Sequence, residues 1–280
     1  MTLLALALTT LVLFASVPAQ AATLRVPSDY PTIRAAVDAA APGDQIRVRA
    51  GRHCGATLTK PVDLVGEGAP VIVGCAAPAP VLAGILRIGL FLNGAAGTSP
   101  ASGTSIQGFV FDGEGVADTN LAPLAFGVFA RFASDVSVTH NTFVGTVQAV
   151  TNTGGDRWTI SHNRVEGLTL FRCGPGFCGG GDAIVIQFAR PPLGVAGGAG
   201  NPVNRPEDNT ITHNDVSGVI PDGHDVFSMV GILVLSADGT VVAHNRAAVP
   251  PNPTGLAAGE GHRRDQHVLR PRRRLPARRP

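Results

Sequence analysis

The sequence predicts an all-β chain, wound as a right-handed parallel β-helix with an N-terminal capping helix. Three observations carry this. A phrase built on His-Asn returns along the chain: VSVTHNTFVG, TISHNRVEG, TITHNDVSG and TVVAHNRAAV. A small residue followed by a β-branched one stands at a fixed distance before most of these phrases. Gly and Pro number 35 and 22 in 280 residues, aromatics are 5%, and long helical periodicity is nearly absent. Short strands, many turns and a fixed repeat are the marks of a solenoid, in which each coil buries its apolar face against the next.

The elements follow in chain order. Residues 1–21, MTLLALALTTLVLFASVPAQA, hold an apolar run and end in Ala19-Gln20-Ala21, which suits signal peptidase. The run is about 15 residues, short of the ~20 needed to span a bilayer. The expectation is an exported chain, secreted or periplasmic, with no membrane span and a mature start near Ala22. YPTIRAAVDAA, 30–40, reads as a helix, because Ile33, Ala36, Val37 and Ala40 share one face and Pro42-Gly43 stops it. It would cover the open end of the solenoid. IRVRAG and VDLVGEG follow as strands.

The repeat occupies the middle of the chain. Val138, His140, Asn141, Phe143 and Gly145 fill the phrase once. Ile160, His162, Asn163, Val165 and Gly167 fill it again, and Ile211, His213, Asn214, Val216 and Gly218 a third time. Val242, His244 and Asn245 begin a fourth. Upstream, Ile106, Gly108, Phe109, Phe111 and Gly113 keep the spacing without His-Asn. Period-two alternation marks each as a strand with one buried face. The small-plus-branched landmarks are Gly127-Val128, Ala149-Val150, Ala183-Ile184 and Gly231-Ile232, and the first two set a plain coil of 22 residues. Asn suits the bend, where amides of neighbouring coils can form a hydrogen-bonded ladder. The His beside it is expected to stack outside the same corner. A metal reading would crowd the imidazoles at about 4.8 Å, so the ladder is structural.

Four cysteines in an exported chain imply disulfides. Cys54–Cys75, 21 apart, would tie neighbouring coils, and Cys173–Cys178 would close the loop CGPGFC. The stretch VPSDYPTIRAAVDAAAPGDQIRVRAG, then VDLVGEG, then Asn-punctuated coils, resembles the pectin-lyase-like superfamily over roughly residues 23–246. That resemblance implies a coil-rich exported protein of the kind that includes pectate lyases, polygalacturonases and pectin methylesterases.

Chemistry is expected where the repeat is interrupted, because insertions in a solenoid map to loops on one face. From Asn141 to Ala149 the plain coil uses eight residues, whereas Asn163 to Ala183 takes 20 and Asn214 to Gly231 takes 17. The two long loops would lie side by side and wall a groove for a polysaccharide or cell-surface glycan. They hold Arg172, Asp182, Asp222, His224 and Asp225. Glycoside hydrolysis needs one carboxyl as acid and a second to activate water. Asp182 with Asp222 or Asp225 would supply them, and His224 would tune proton transfer. A lyase would instead hold calcium between Asp residues, with Arg172 as the cation. Arg172 and Trp158 are the candidate substrate-binding residues. The family motifs survive only in part. GGGDAIVI keeps Asp182 alone of the paired aspartates of polygalacturonases, Gly223-His224-Asp225 stands near their Gly-His-Gly, and RWTISHN has Ser161 where pectate lyases carry an Asp. The alternative is a non-catalytic glycan-binding or structural solenoid. A copper accessory role ranks last, since the chain has two Met.

The net charge of +2 hides an asymmetry. From His262 onward eight Arg face one Asp, while the rest of the chain carries 14 basic against 19 acidic residues. An acidic body argues against nucleic acid as a partner. Residues 247–280, rich in Pro and Arg, cannot bury a core and are expected to be disordered. Such text is what a GC-rich gene gives out of frame, so a shifted frame is the expected source.

Overall fold

The computed structural model describes residues 20–75, 80–82, 86–95, 98–113, 124–168, 171–173, 176–179, 181–189, 205–217 and 230–248. The signal-peptide expectation for 1–21 and that for the tail fall almost wholly outside them. Short strands stack into three sheets, with every neighbouring pair along the three stacks parallel. The first sheet runs from Thr23–Val26 through Gln45–Arg49, Asp63–Glu67, Ser105–Gln107, Ser137–Thr139, Thr159–Ser161 and Thr210–Thr212 to Val241–Ala243. The second contains Arg52–Cys54, Val71–Val73, Val110–Asp112, Thr142–Val144, Arg164–Glu166, Asp215–Ser217 and Arg246–Ala248. The third contains Ala56–Leu58, Leu86–Leu92, Leu124–Arg131, Gln148–Thr153, Asp182–Gln187 and Val230–Leu235. The chain visits first, second and third sheet in turn, which is the arrangement of a parallel β-helix.

The register follows the repeat read from the sequence. Ile106, Val138, Ile160, Ile211 and Val242 stand in one column of the first sheet. Phe111, Phe143, Val165, Val216 and Ala247 stand in one column of the second. Leu90, Val128, Val150, Ile184 and Ile232 do so in the third. Most of these side chains are fully buried and belong to one continuous core. The glycine of the first landmark, and Gly89 one coil earlier, have a packing cause. A Cβ on Gly127 would lie 2.5 Å from the Phe143 ring, and one on Gly89 would lie 2.9 Å from Phe111. The third sheet must be thin there so that the rings of the second can enter. Phe111 and Phe143 then stack at 4.7 Å.

The helix forms over Ile33–Ala39, inside the expected 30–40. Thr32 starts it, its hydroxyl accepting from the Ala35 N–H at 3.1 Å. Ile33, Ala36 and Val37 are buried on its inner face. Just beyond its end, the Asp44 carboxylate accepts from the N–H groups of Ala41 and Ala22, both at 2.7 Å. The Ala41 bond, then the Ala22 bond, hold its carboxyl below the usual range.

At the corner between first and second sheets the Asn ladder is complete over four coils. The Asn141 N–H and Nδ2 both donate to Asn163 Oδ1, at 3.0 and 3.2 Å. Asn163 repeats this towards Asn214, and Asn214 towards Asn245. Each Nδ2 also reaches back to a carbonyl of the preceding coil: Ile106, Val138, Ile160 and Ile211. Burial of these amides is tolerable because their polar atoms are partnered. The His before each Asn has φ between 55° and 57°, a left-handed conformation that Gly108 adopts at the equivalent place with φ 81°. The four exposed imidazoles stack in sequence, with centroids 4.8, 5.1 and 5.0 Å apart.

Cys54 and Cys75 form a disulfide between consecutive coils of the second sheet, with Cα atoms 5.6 Å apart. The loop it closes is short, so its reduction is expected to cost about 2–4 kcal/mol. Urea titration with and without reductant measures this. The side chains of Cys173 and Cys178 lie outside the described residues. Their backbones belong to a two-stranded antiparallel hairpin, Phe171–Cys173 with Gly176–Gly179.

Exposure rises at the last described coil. Val242 continues the column of fully buried Ile211, yet is 44% exposed. Val241 and Leu235 are exposed beside it.

Candidate functional site

Insertions concentrate at the corner that leads from the second sheet to the third. Three residues join Val144 to Gln148, but eleven lie between Asp112 and Leu124, fifteen between Glu166 and Asp182, and twelve between Ser217 and Val230. Sequence reading found the last two and missed the first, which precedes the earliest His-Asn phrase. The strand Gln148–Thr153 thus has a short corner with longer corners on both sides, and at the start of the sheet Gly55 alone joins Cys54 to Ala56. The outer face of the third sheet therefore frames the site.

Three columns cross that face. Phe126, Gln148 and Asp182 form the one nearest the long corners. Phe91, Phe129, Thr151, Val185 and Leu233 form the midline. Arg131, Thr153, Gln187 and Leu235 form the far column. The midline is largely covered, with Phe129, Thr151 and Val185 all buried. Phe91 packs against Phe129 at 5.6 Å, and Phe126 against Phe129 at 4.9 Å. The two flanking columns are wetter: Gln148, Asp182, Arg131, Thr153 and Gln187 are each half-buried. Thr151 Oγ1 donates to Gln148 Oε1 at 2.5 Å, and Gln187 Nε2 to Thr153 Oγ1 at 3.4 Å. Among the described residues Arg131 has no ion-pair partner.

Asp182 opens its strand beside Gln148 and Val230. It is the one carboxylate among the described residues of this sheet's strands. Asp222, His224 and Asp225 lie outside the described residues. Arg172 sits in the hairpin opposite Phe177, its side chain likewise outside them. Trp158 requires a correction. It does not face a groove, but is 1% exposed and part of the core. Its Nε1–H donates to the Ala133 carbonyl at 2.6 Å, so the indole's polar edge is used internally. Among the described residues, no group of three or more His, Cys, Asp or Glu is placed to hold a metal ion, and no helix is long and apolar enough to cross a membrane.

Arg131, Thr153 and Gln187 were not singled out from sequence. Their signal is positional: each stands three residues after the branched landmark of its coil, Val128, Val150 and Ile184. No family model matches the chain, and no curated protein or solved structure matches it.

Proposed function

We propose that the protein binds a polysaccharide along the outer face of the third sheet, without turning it over. The observation that carries this reading is the pair of half-buried polar columns, Gln148–Asp182 and Arg131–Thr153–Gln187, on either side of an apolar midline. Neighbouring strands repeat about every 4.8 Å, so hydrogen-bonding groups recur regularly along the axis. Amides, a hydroxyl and an unpaired guanidinium beside aromatic surface suit hydroxyl-rich chains with some negative charge.

Binding is favoured over hydrolysis by a count of carboxylates. Both glycosidase geometries need two, and the described strands of this sheet supply Asp182 alone. A second would have to come from Asp222 or Asp225. The Asn ladder, the three parallel sheets and the N-terminal helix support a right-handed, pectin-lyase-like solenoid with that helix as its cap. The Cys54–Cys75 disulfide supports export to an oxidising compartment.

Affinity electrophoresis through gels containing neutral and acidic glycans tests the reading. Retardation is expected with at least one acidic polymer, and Arg131→Gln with Gln187→Ala should weaken it about tenfold, or ~1.4 kcal/mol. No retardation by any polymer sinks it. Release of reducing ends or of unsaturated products would replace binding by catalysis.

A further inference from the structure

The outer face of the first sheet carries a second, independent feature. Three consecutive coils present Ser137 and Thr139, Thr159 and Ser161, and Thr210 and Thr212. They stand in two in-register columns, Ser137–Thr159–Thr210 and Thr139–Ser161–Thr212. The alternate residues Val138, Ile160 and Ile211 are fully buried, so all six hydroxyl residues face outward. Among the described residues none of the six hydroxyls has a hydrogen-bond partner, Ser161 included although it is only 7% exposed.

One edge of the face is kept in step by the imidazole stack, in which the His140, His162 and His213 rings repeat at 4.8 and 5.1 Å. The in-register hydroxyls therefore repeat at about 4.8 Å between coils and about 6.6 Å along each strand. The opposite edge is fixed by the Asp135–Arg157 pair, with Arg157 Nε 2.7 Å from Asp135 Oδ1. The hydrogen bond from Arg157 holds the Asp135 carboxyl below its usual range. The array ends at Ser105, whose hydroxyl is engaged by Asp63, and at Val241 and Ala243.

A hydroxyl donates one hydrogen bond and accepts two, much as a water oxygen does. A flexible chain matches such groups along one direction, whereas a crystal matches them along two. The coil repeat of about 4.8 Å lies near the second-neighbour oxygen separation of tetrahedrally bonded water, about 4.5 Å. We propose that this face is an ice-binding surface, its partner a lattice of ordered water. This inference does not rest on glycan binding, which uses another sheet.

The test grows ice slowly from a dilute solution of the full chain and measures protein in ice and liquid. The full chain should enter the ice well above a non-binding reference protein. Thr159→Val with Thr210→Val keeps side-chain volume and removes two hydroxyls, and should lower that enrichment about tenfold. Thr142→Lys, on the outer face of the second sheet, should leave it unchanged. Circular dichroism confirms that each variant is folded, and Thr159→Ser with Thr210→Ser, which keeps the hydroxyls, serves if the valine pair is not: it should retain enrichment. Exclusion of the full chain from ice, full enrichment of a folded valine variant, or loss in the serine variant overturns the proposal. So does retention on microcrystalline cellulose without enrichment in ice, which would give the face to a glycan.

Discussion

Asn163→Ala is expected to destabilise the protein by about 3–5 kcal/mol, because it leaves several buried polar groups without partners at once. Asn163 Oδ1 accepts both the N–H and the Nδ2 of Asn141, and its own Nδ2 serves the Val138 carbonyl and Asn214 Oδ1. No water reaches this corner easily, since Asn141, Asn163 and Asn214 are all buried. For a chain of this size the loss corresponds to a fall in Tm of about 10 °C. Asn245→Ala makes the internal control. Asn245 is only half-buried, in the last described coil, so its replacement should cost about 1 kcal/mol. Thermal and urea unfolding of both variants decide the matter, and equal losses would mean that the ladder adds nothing to burial.

Gly127→Ala is the second large effect. The added carbon would stand 2.5 Å from two carbons of the Phe143 ring and 2.7 Å from the Ala149 carbonyl oxygen. The ring can shift; the backbone of the neighbouring strand cannot do so cheaply. Overpacking of this kind costs about 2–3 kcal/mol. Phe143→Ala alone should cost about 3–5 kcal/mol through the cavity it leaves. Combined, the two should lose at least 1 kcal/mol less than their sum, because the smaller side chain vacates the space the new methyl group needs. Strict additivity would show that the two positions do not face one another.

Much of the architecture was legible because its causes are periodic. Val138, Ile160 and Ile211 alternate with outward residues, and the Asn of each coil repeats where the chain bends. The small-plus-branched landmark was read as spacing; that Gly127 makes room for Phe143, as Gly89 does for Phe111, needed the facing sheet. Trp158 was misread for a related reason. By sequence it is a candidate substrate-binding residue, but the indole's partner is Ala133, 25 residues earlier, and no local pattern announces it. Arg131, Thr153 and Gln187 form one column although 22 and 34 residues separate them in the chain. Unequal spacing hides such a column until the strands are in register. Asp182 was legible as a lone carboxylate in a Gly-rich stretch. The partners expected for it, Asp222, His224 and Asp225, lie outside the described residues.

The amide ladder also has a polarity. Every Asn donates backward, to a carbonyl of the coil before it, and accepts forward bonds with the oxygen that its predecessor's N–H requires. A coil is thus finished only when its successor arrives. Assembly along such a ladder is vectorial: a chain emerging N-terminus first adds each coil to a template already in place, and the newest coil is always the least complete. Among the described residues Asn245 is the last of the ladder, and its coil is the most exposed, with Val241 and Val242 both meeting solvent. Among the described coils, fraying is expected first at the one where Val242 meets solvent.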